Sequence, residues 1–235
     1  MADYSKTISG GLDLKAGISE SYTVDVTLLP DFSQVQSDDI IKNLTAFEVE
    51  YDEQRLFFKE AVDLFEKGNL FYSRRIGRMP TGFYTVYSNL DSGETVISNP
   101  SQAQLINASK ISGRSNNGLA VGLFNAVTKN TYAEIRSANG EIRKELTEPF
   151  ANYNILVLDK EFKNSNSFYL INNNAIRERK FKSSNVTGAG ANVYLKNKTY
   201  LLSVSTAVSQ NDSLLFSNKS IKQGGLSYAA SFLKV

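Results

Sequence analysis

Around residues 199 to 208 the side chains sort by parity: Tyr200, Leu202, Val204, Thr206 and Val208 fall on one set, Ser203, Ser205, Ala207 and Ser209 on the other. Successive side chains of a strand point to opposite faces, so this segregation predicts a strand with one greasy face and one small or polar face. The pattern recurs along the chain. Leu226, Tyr228, Ala230 and Phe232 oppose Gly225, Ser227, Ala229 and Ser231, while Leu12, Leu14, Ala16 and Ile18 oppose Asp13, Lys15 and Gly17. Tyr22, Val24, Val26 and Leu28 oppose Thr23, Asp25 and Thr27 in the same way. Long strands are predicted at 9–18, 21–30, 102–112, 118–128, 150–160, 167–177, 188–196, 199–208 and 224–234.

The connections carry a second regularity. Tight turns at Ser19-Glu20, 113–117, 161–166 and Asn197-Lys198 alternate with longer connections at 31–101, 129–149, 178–187 and 209–223. A soluble sandwich also alternates apolar and polar positions, with its apolar face on the core. Strict alternation of short turns and long loops is instead the habit of outer-membrane barrels, whose strands need only about 9 to 11 residues each. The expected fold class is therefore all-β with a small α/β insert, an antiparallel transmembrane β-barrel fragment, open or incomplete in this chain. An odd strand count, and a first strand that runs toward the short-turn side, both point to a piece of a larger protein.

Composition removes many activities. The chain has 235 residues, a formal charge of +2, no Cys and no His. That charge gives no field to attract nucleic acid, and disulfides, thiolate nucleophiles, histidine bases and the usual transition-metal sites are excluded. No cofactor is implied, and no catalytic or metal-binding set emerges. Asp31, Asp38 and Asp39 lack the spacing of a calcium loop, and Gly113 to Gly118 lacks the Lys and Ser or Thr of a phosphate loop. Met1 to Ser9 has no signal-peptide character, and no apolar run is long enough for a transmembrane helix.

Residues 31–101 break the hairpin rhythm. They crowd Glu48, Glu50, Asp52, Glu53 and Glu60 beside Arg55, Arg74, Arg75 and Arg78, with Phe47, Phe57, Phe58, Phe65, Phe71 and Tyr72 between them. Asp52 is placed to cap a helix from about Glu53 to Lys67, with Phe57, Ala61, Leu64 and Phe65 on one stripe and Gly68 as its stop. Leu70 to Ile76 reads as extended, and Tyr84 to Tyr87 with Glu94 to Ile97 as a small hairpin around Asp91-Ser92-Gly93. A solvated loop is the bland reading of such charge. Alternation with bulky aromatics favours burial, which requires the charges to neutralise one another. Glu48, Glu53, Arg55, Glu60, Arg74 and Arg75 are thus the candidate binding or plug residues.

Four runs carry a family resemblance: Asp31-Phe32-Ser33-Gln34-Val35-Gln36-Ser37-Asp38, Asn43-Leu44-Thr45-Ala46-Phe47-Glu48, Glu53-Gln54-Arg55-Leu56-Phe57-Phe58-Lys59-Glu60 and Leu70-Phe71-Tyr72-Ser73-Arg74-Arg75-Ile76-Gly77. They closely resemble the domain of unknown function 5916 family, and the likeness continues through Leu105 to Arg114 and Asn152 to Asp159. The resemblance implies an outer-membrane barrel in the envelope of Bacteroidetes-type bacteria, commonly behind a family-9-like carbohydrate-binding domain. The family usually has Gly after the residue matching Glu60. Ala61 stands there in this chain, which favours a helix that continues.

The expected organisation is a first barrel hairpin at 1–30, a plug-like insert at 31–101 and barrel strands at 102–235. The expected role is binding or passage of a solute, saccharide or peptide, through a barrel whose lumen holds the insert. Outer-membrane lipid and envelope proteins are the expected partners, with no nucleic acid. A glycosidase-like hydrolase, using a carboxylate pair among Glu48, Glu53 and Glu60, and an envelope assembly scaffold are the alternatives; catalysis is disfavoured because neighbouring Arg residues keep carboxylates ionised.

Overall fold

The computed structural model describes residues 12–28, 51–178, 181–214 and 220–235. Nine strands form one antiparallel sheet: β1 (Leu12–Ser19), β2 (Tyr22–Leu28), β4 (Leu105–Arg114), β5 (Leu119–Thr128), β8 (Ala151–Glu161), β9 (Ser167–Arg177), β10 (Ser183–Leu195), β11 (Tyr200–Leu214) and β12 (Ser220–Lys234). Each pairs with its neighbour in that order. All nine lie close to predicted strands. β10 and β11 run farther than expected, so the connections 178–182 and 215–219 are no longer than the turn between β8 and β9. Only two connections, after β2 and after β5, are truly long. Among the described residues the terminal strands β1 and β12 do not pair with each other, so the sheet is open.

The 129–149 connection is not a plain loop. It forms a hairpin, β6 (Thr131–Arg136) and β7 (Ile142–Glu148), which β3 (Thr95–Ser98) from the insert joins to make a second sheet. The small hairpin predicted within the insert is therefore absent. Thr85–Ser88 is a helical turn, α3, and the segment expected to pair with it pairs with β6 instead. Val86, Ala133 and Ile135 bury one another there, an apolar reward that the local turn signal could not reveal.

The helix predicted from Glu53 to Lys67 is also corrected. Two four-residue helices, α1 (Leu56–Lys59) and α2 (Val62–Phe65), are separated by an extended Glu60 and by Ala61 at φ 54°. Asp52 caps neither. The cause is tertiary: a continuous helix would commit Phe57 O and Glu60 O to amides four residues on, whereas here both carbonyls accept from Lys110 Nζ, at 2.5 and 3.0 Å. Ala61 takes the left-handed conformation, in which a glycine would be unstrained. Leu70 to Ile76 is likewise not simply extended, since Ser73–Arg75 makes a 3-10 turn.

The two faces of the large sheet differ completely. Cross-strand register places Asp25 opposite Lys110, Lys110 opposite Phe124, Phe124 opposite Ile155 and Ile155 opposite Asn173 on one face. The insert covers this face over its middle strands, β4, β5, β8 and β9. Phe58, Phe65 and Ile76 from the insert share a core with Ala108, Phe124, Val157 and Ile171, and Phe57, Phe58, Phe65 and Phe71 all lie with ring centroids 5.7–6.1 Å from Phe124. Gly188 leaves room for the insert, since a Cβ there would stand 2.2 Å from Leu70.

The opposite face carries Val24, Ile111, Leu123, Leu156, Val208 and Leu226 in one register row, and among the described residues no element packs on it. Leu123 is 43% exposed and Tyr228 82%. Several polar residues on this face pair with one another: Asn125 donates to Asn152 and Asn154, and Asn172 donates to Asn185 and Thr187, at 2.7–2.9 Å, whereas the buried amide oxygens of Asn107 and Asn174 have no hydrogen-bond partner among the described residues.

Candidate functional site

Three charged clusters line the seam between the insert and the sheet. The first is built by register. Lys15, Asp25 and Lys110 occupy one row across β1, β2 and β4, so strand pairing alone sets cation, anion and cation side by side. Lys110 is only 2% exposed, lies 3.8 Å from Asp25 and 3.7 Å from Glu60, and sits 4.7 Å from the Phe57 ring. Glu60 reaches Lys15 at 2.8 Å. The hydrogen bond from Lys15 holds the Glu60 carboxyl below its ordinary range, partial burial opposes this, and Lys110 adds to the lowering. The insert is thus fastened to the wall by one carboxylate and two carbonyl oxygens around a buried ammonium.

The second cluster lies within the insert. Glu53 receives both forks of Arg55, at 2.8 and 2.7 Å, and the Ser73 hydroxyl at 2.6 Å. Arg55 also donates to Ile76 O and Ser73 O and stacks 4.0 Å over the Phe58 ring. Burial pushes the Glu53 carboxyl upward, but the Arg55 and Ser73 hydrogen bonds outweigh it and the net shift is downward. This clasp closes the chain from Glu53 to Ile76 into one compact unit.

The third cluster, toward the short turns, centres on Asp159, which is 1% exposed and accepts from Arg114 at 2.5 Å with Lys67 at 3.4 Å. Its other oxygen has no hydrogen-bond partner among the described residues.

Of the residues singled out from sequence, Glu53 and Arg55 pair with each other, and Glu60 pairs with two lysines rather than with arginines. Arg74 donates to Asp52 O at 2.7 Å and lies 5.9 Å from the Tyr51 ring, while Arg75 is exposed and has an interaction partner of its own. Glu48 lies outside the described residues. Among the described residues, Glu53 with Arg55 and Glu60 with its lysines thus stand in two separate clusters. Lys15, Asp25, Lys110 and Asp159 were missed, although parity had already placed Lys15 and Asp25 on the polar face. A charged residue recurring on that face across successive strands was the available signal.

Among the described residues no group of acidic side chains is arranged to hold a metal ion. The family model of a domain of unknown function, DUF5916, matches residues 2–235. The chain belongs to this family. Neither the curated proteins nor the solved structures contain a match to it. The matched range spans both the insert and the nine strands, so the seam between them is a construction of the DUF5916 domain itself rather than a junction between two families.

Proposed function

We propose that this DUF5916 domain forms part of the wall of an outer-membrane β-barrel, and that its insert lies in the lumen as a plug or constriction governing binding or passage of a solute, saccharide or peptide. The observation that carries this reading is the inversion of the sheet. One face presents Leu, Val, Phe and Tyr outward with no described residue packed upon them, while a charged and aromatic insert packs on the middle of the other. Lipid-exposed barrel strands have this polarity, apolar outside and polar within. No helix among the described residues is long and apolar enough to cross a membrane, so spanning would fall to the strands.

Hydrolysis is less well supported. A general acid needs a raised pKa, whereas Glu53 and Glu60 are both lowered by their cation partners.

The test is conductance and solute uptake by the full-length protein in planar bilayers and liposomes. Passage controlled by the insert predicts a low basal conductance that rises in Lys110→Ala and shifts in Arg74→Ala with Arg75→Ala. A protein that inserts yet stays sealed to every solute in all of these variants would overturn passage.

A further inference from the structure

At the end of the insert-bearing face opposite the Asp159 cluster, the insert and strands β7, β9, β10 and β11 wall a cavity of about 340 Å³ whose lining includes Arg78, Thr81, Glu148, Arg177, Phe181 and Lys182. Its walls are fastened. Gly82 N donates to Thr147 O at 2.9 Å, tying the insert to β7, and the buried Glu148 accepts both the amide and the hydroxyl of Thr81 at 2.8 Å. Arg177 sits 5.7 Å from the Tyr153 ring and donates to Lys182 O, which holds Lys182 beside the same space. The single carboxylate in the lining is thus turned to Thr81.

The three cations are not neutralised. Among the described residues no ion pair involves Arg78, Arg177 or Lys182, and the side chains of Arg78 and Lys182 make no hydrogen bond. This contrasts with the seam, where Lys110, Arg55 and Arg114 each have a carboxylate. Guanidinium forks match carboxylate and phosphate oxygens, and a concave wall of one sign concentrates counter-ions. We propose that this cavity binds the carboxylate or phosphate group of a small anionic solute, with Phe181 and Pro149 against its less polar part. The cation set itself stands on local geometry. The added claim that the anion is the solute of the barrel rests on the reading above.

The experiment is calorimetric titration of the full chain, in detergent micelles at low salt, with inorganic pyrophosphate and separately with citrate. The expected result is saturable binding of at least one of them at one site per chain, weakened at least about tenfold in Arg78→Gln with Lys182→Gln and again by raising salt to several hundred millimolar. Whichever probe binds more tightly tells phosphate from carboxylate. Lys198→Gln, at the far turn between β10 and β11, should bind as the parent does. No saturable binding of either anion, or undiminished affinity in the double variant, would overturn the proposal. Sealed liposomes with intact anion binding would remove the transport reading alone.

Discussion

Leu123 and Phe124 are neighbours on β5, yet they live in opposite worlds. Phe124 is 5% exposed beneath four insert rings, whereas Leu123, on the other face, is 43% exposed. In a protein dissolved in water the charged residues of such a sheet would face out and Leu123 would face in. Here Lys110, Asp25 and Asp159 are the buried ones. Charge beneath the insert and grease on the other face show that the insert, rather than a second sheet, packs the core of the large sheet; the apolar face is the one that the proposed barrel would turn to lipid.

The comparison breaks most visibly at Lys110. Lys110→Ala leaves the buried Asp25 with only the exposed Lys15, 3.8 Å away, and strips Phe57 O and Glu60 O of their donor, so a loss of about 3 kcal/mol is expected, read by denaturant unfolding together with faster proteolysis between residues 51 and 98. Phe124→Ala should cost about 3–5 kcal/mol through the cavity left among the insert rings, while Leu123→Ala beside it costs well under half of that in detergent. If both alanines prove equally mild, the two faces do not differ as described.

Leu123→Arg sharpens the same contrast from the other side. It should cost about 2–4 kcal/mol in a bilayer but little in a short-chain detergent with a polar surface, measured as folding yield into liposomes against micelles. Equal yields in both would remove the lipid face. Acid titration probes the charged regions: the small sheet's Glu94 is held at about 2, chiefly by the Arg143 hydrogen bond, and Glu53 is also lowered. Because both folded values lie below the ordinary one, their stabilisation is complete above about pH 4.5 and is lost as pH falls toward the folded values, so thermal stability should drop across that window and Glu53→Gln should flatten part of the drop. The smallest expected effect is a gain: Ala61→Gly relieves a left-handed alanine and should add about 1 kcal/mol, seen as a slightly higher melting temperature.

The strands were legible because period-two alternation is a local signal that needs no knowledge of partners. Tyr200 to Val208 and Leu226 to Phe232 announce their faces residue by residue, and all nine strands of the large sheet lie where alternation put them. Element ends were less legible, since β10 and β11 lengthen through Ser183 to Thr187 and Gln210 to Leu214, where polar residues on both parities hide the pattern. The helix failed at Ala61 for a different reason. Propensity and stripe both favoured continuation, and a lysine some fifty residues away took the carbonyls that the helix required.

The candidate site divides along the same line. Glu53 and Arg55, two residues apart, form a pair that a local reading can propose. Lys15, Asp25, Glu60 and Lys110 come together only because the register of β1, β2 and β4 sets three of them in a row and the insert folds back with the fourth. Alternation within a strand was written in the order of residues; register between strands, and the choice of which face the insert would cover, arose from contacts that no single segment contains.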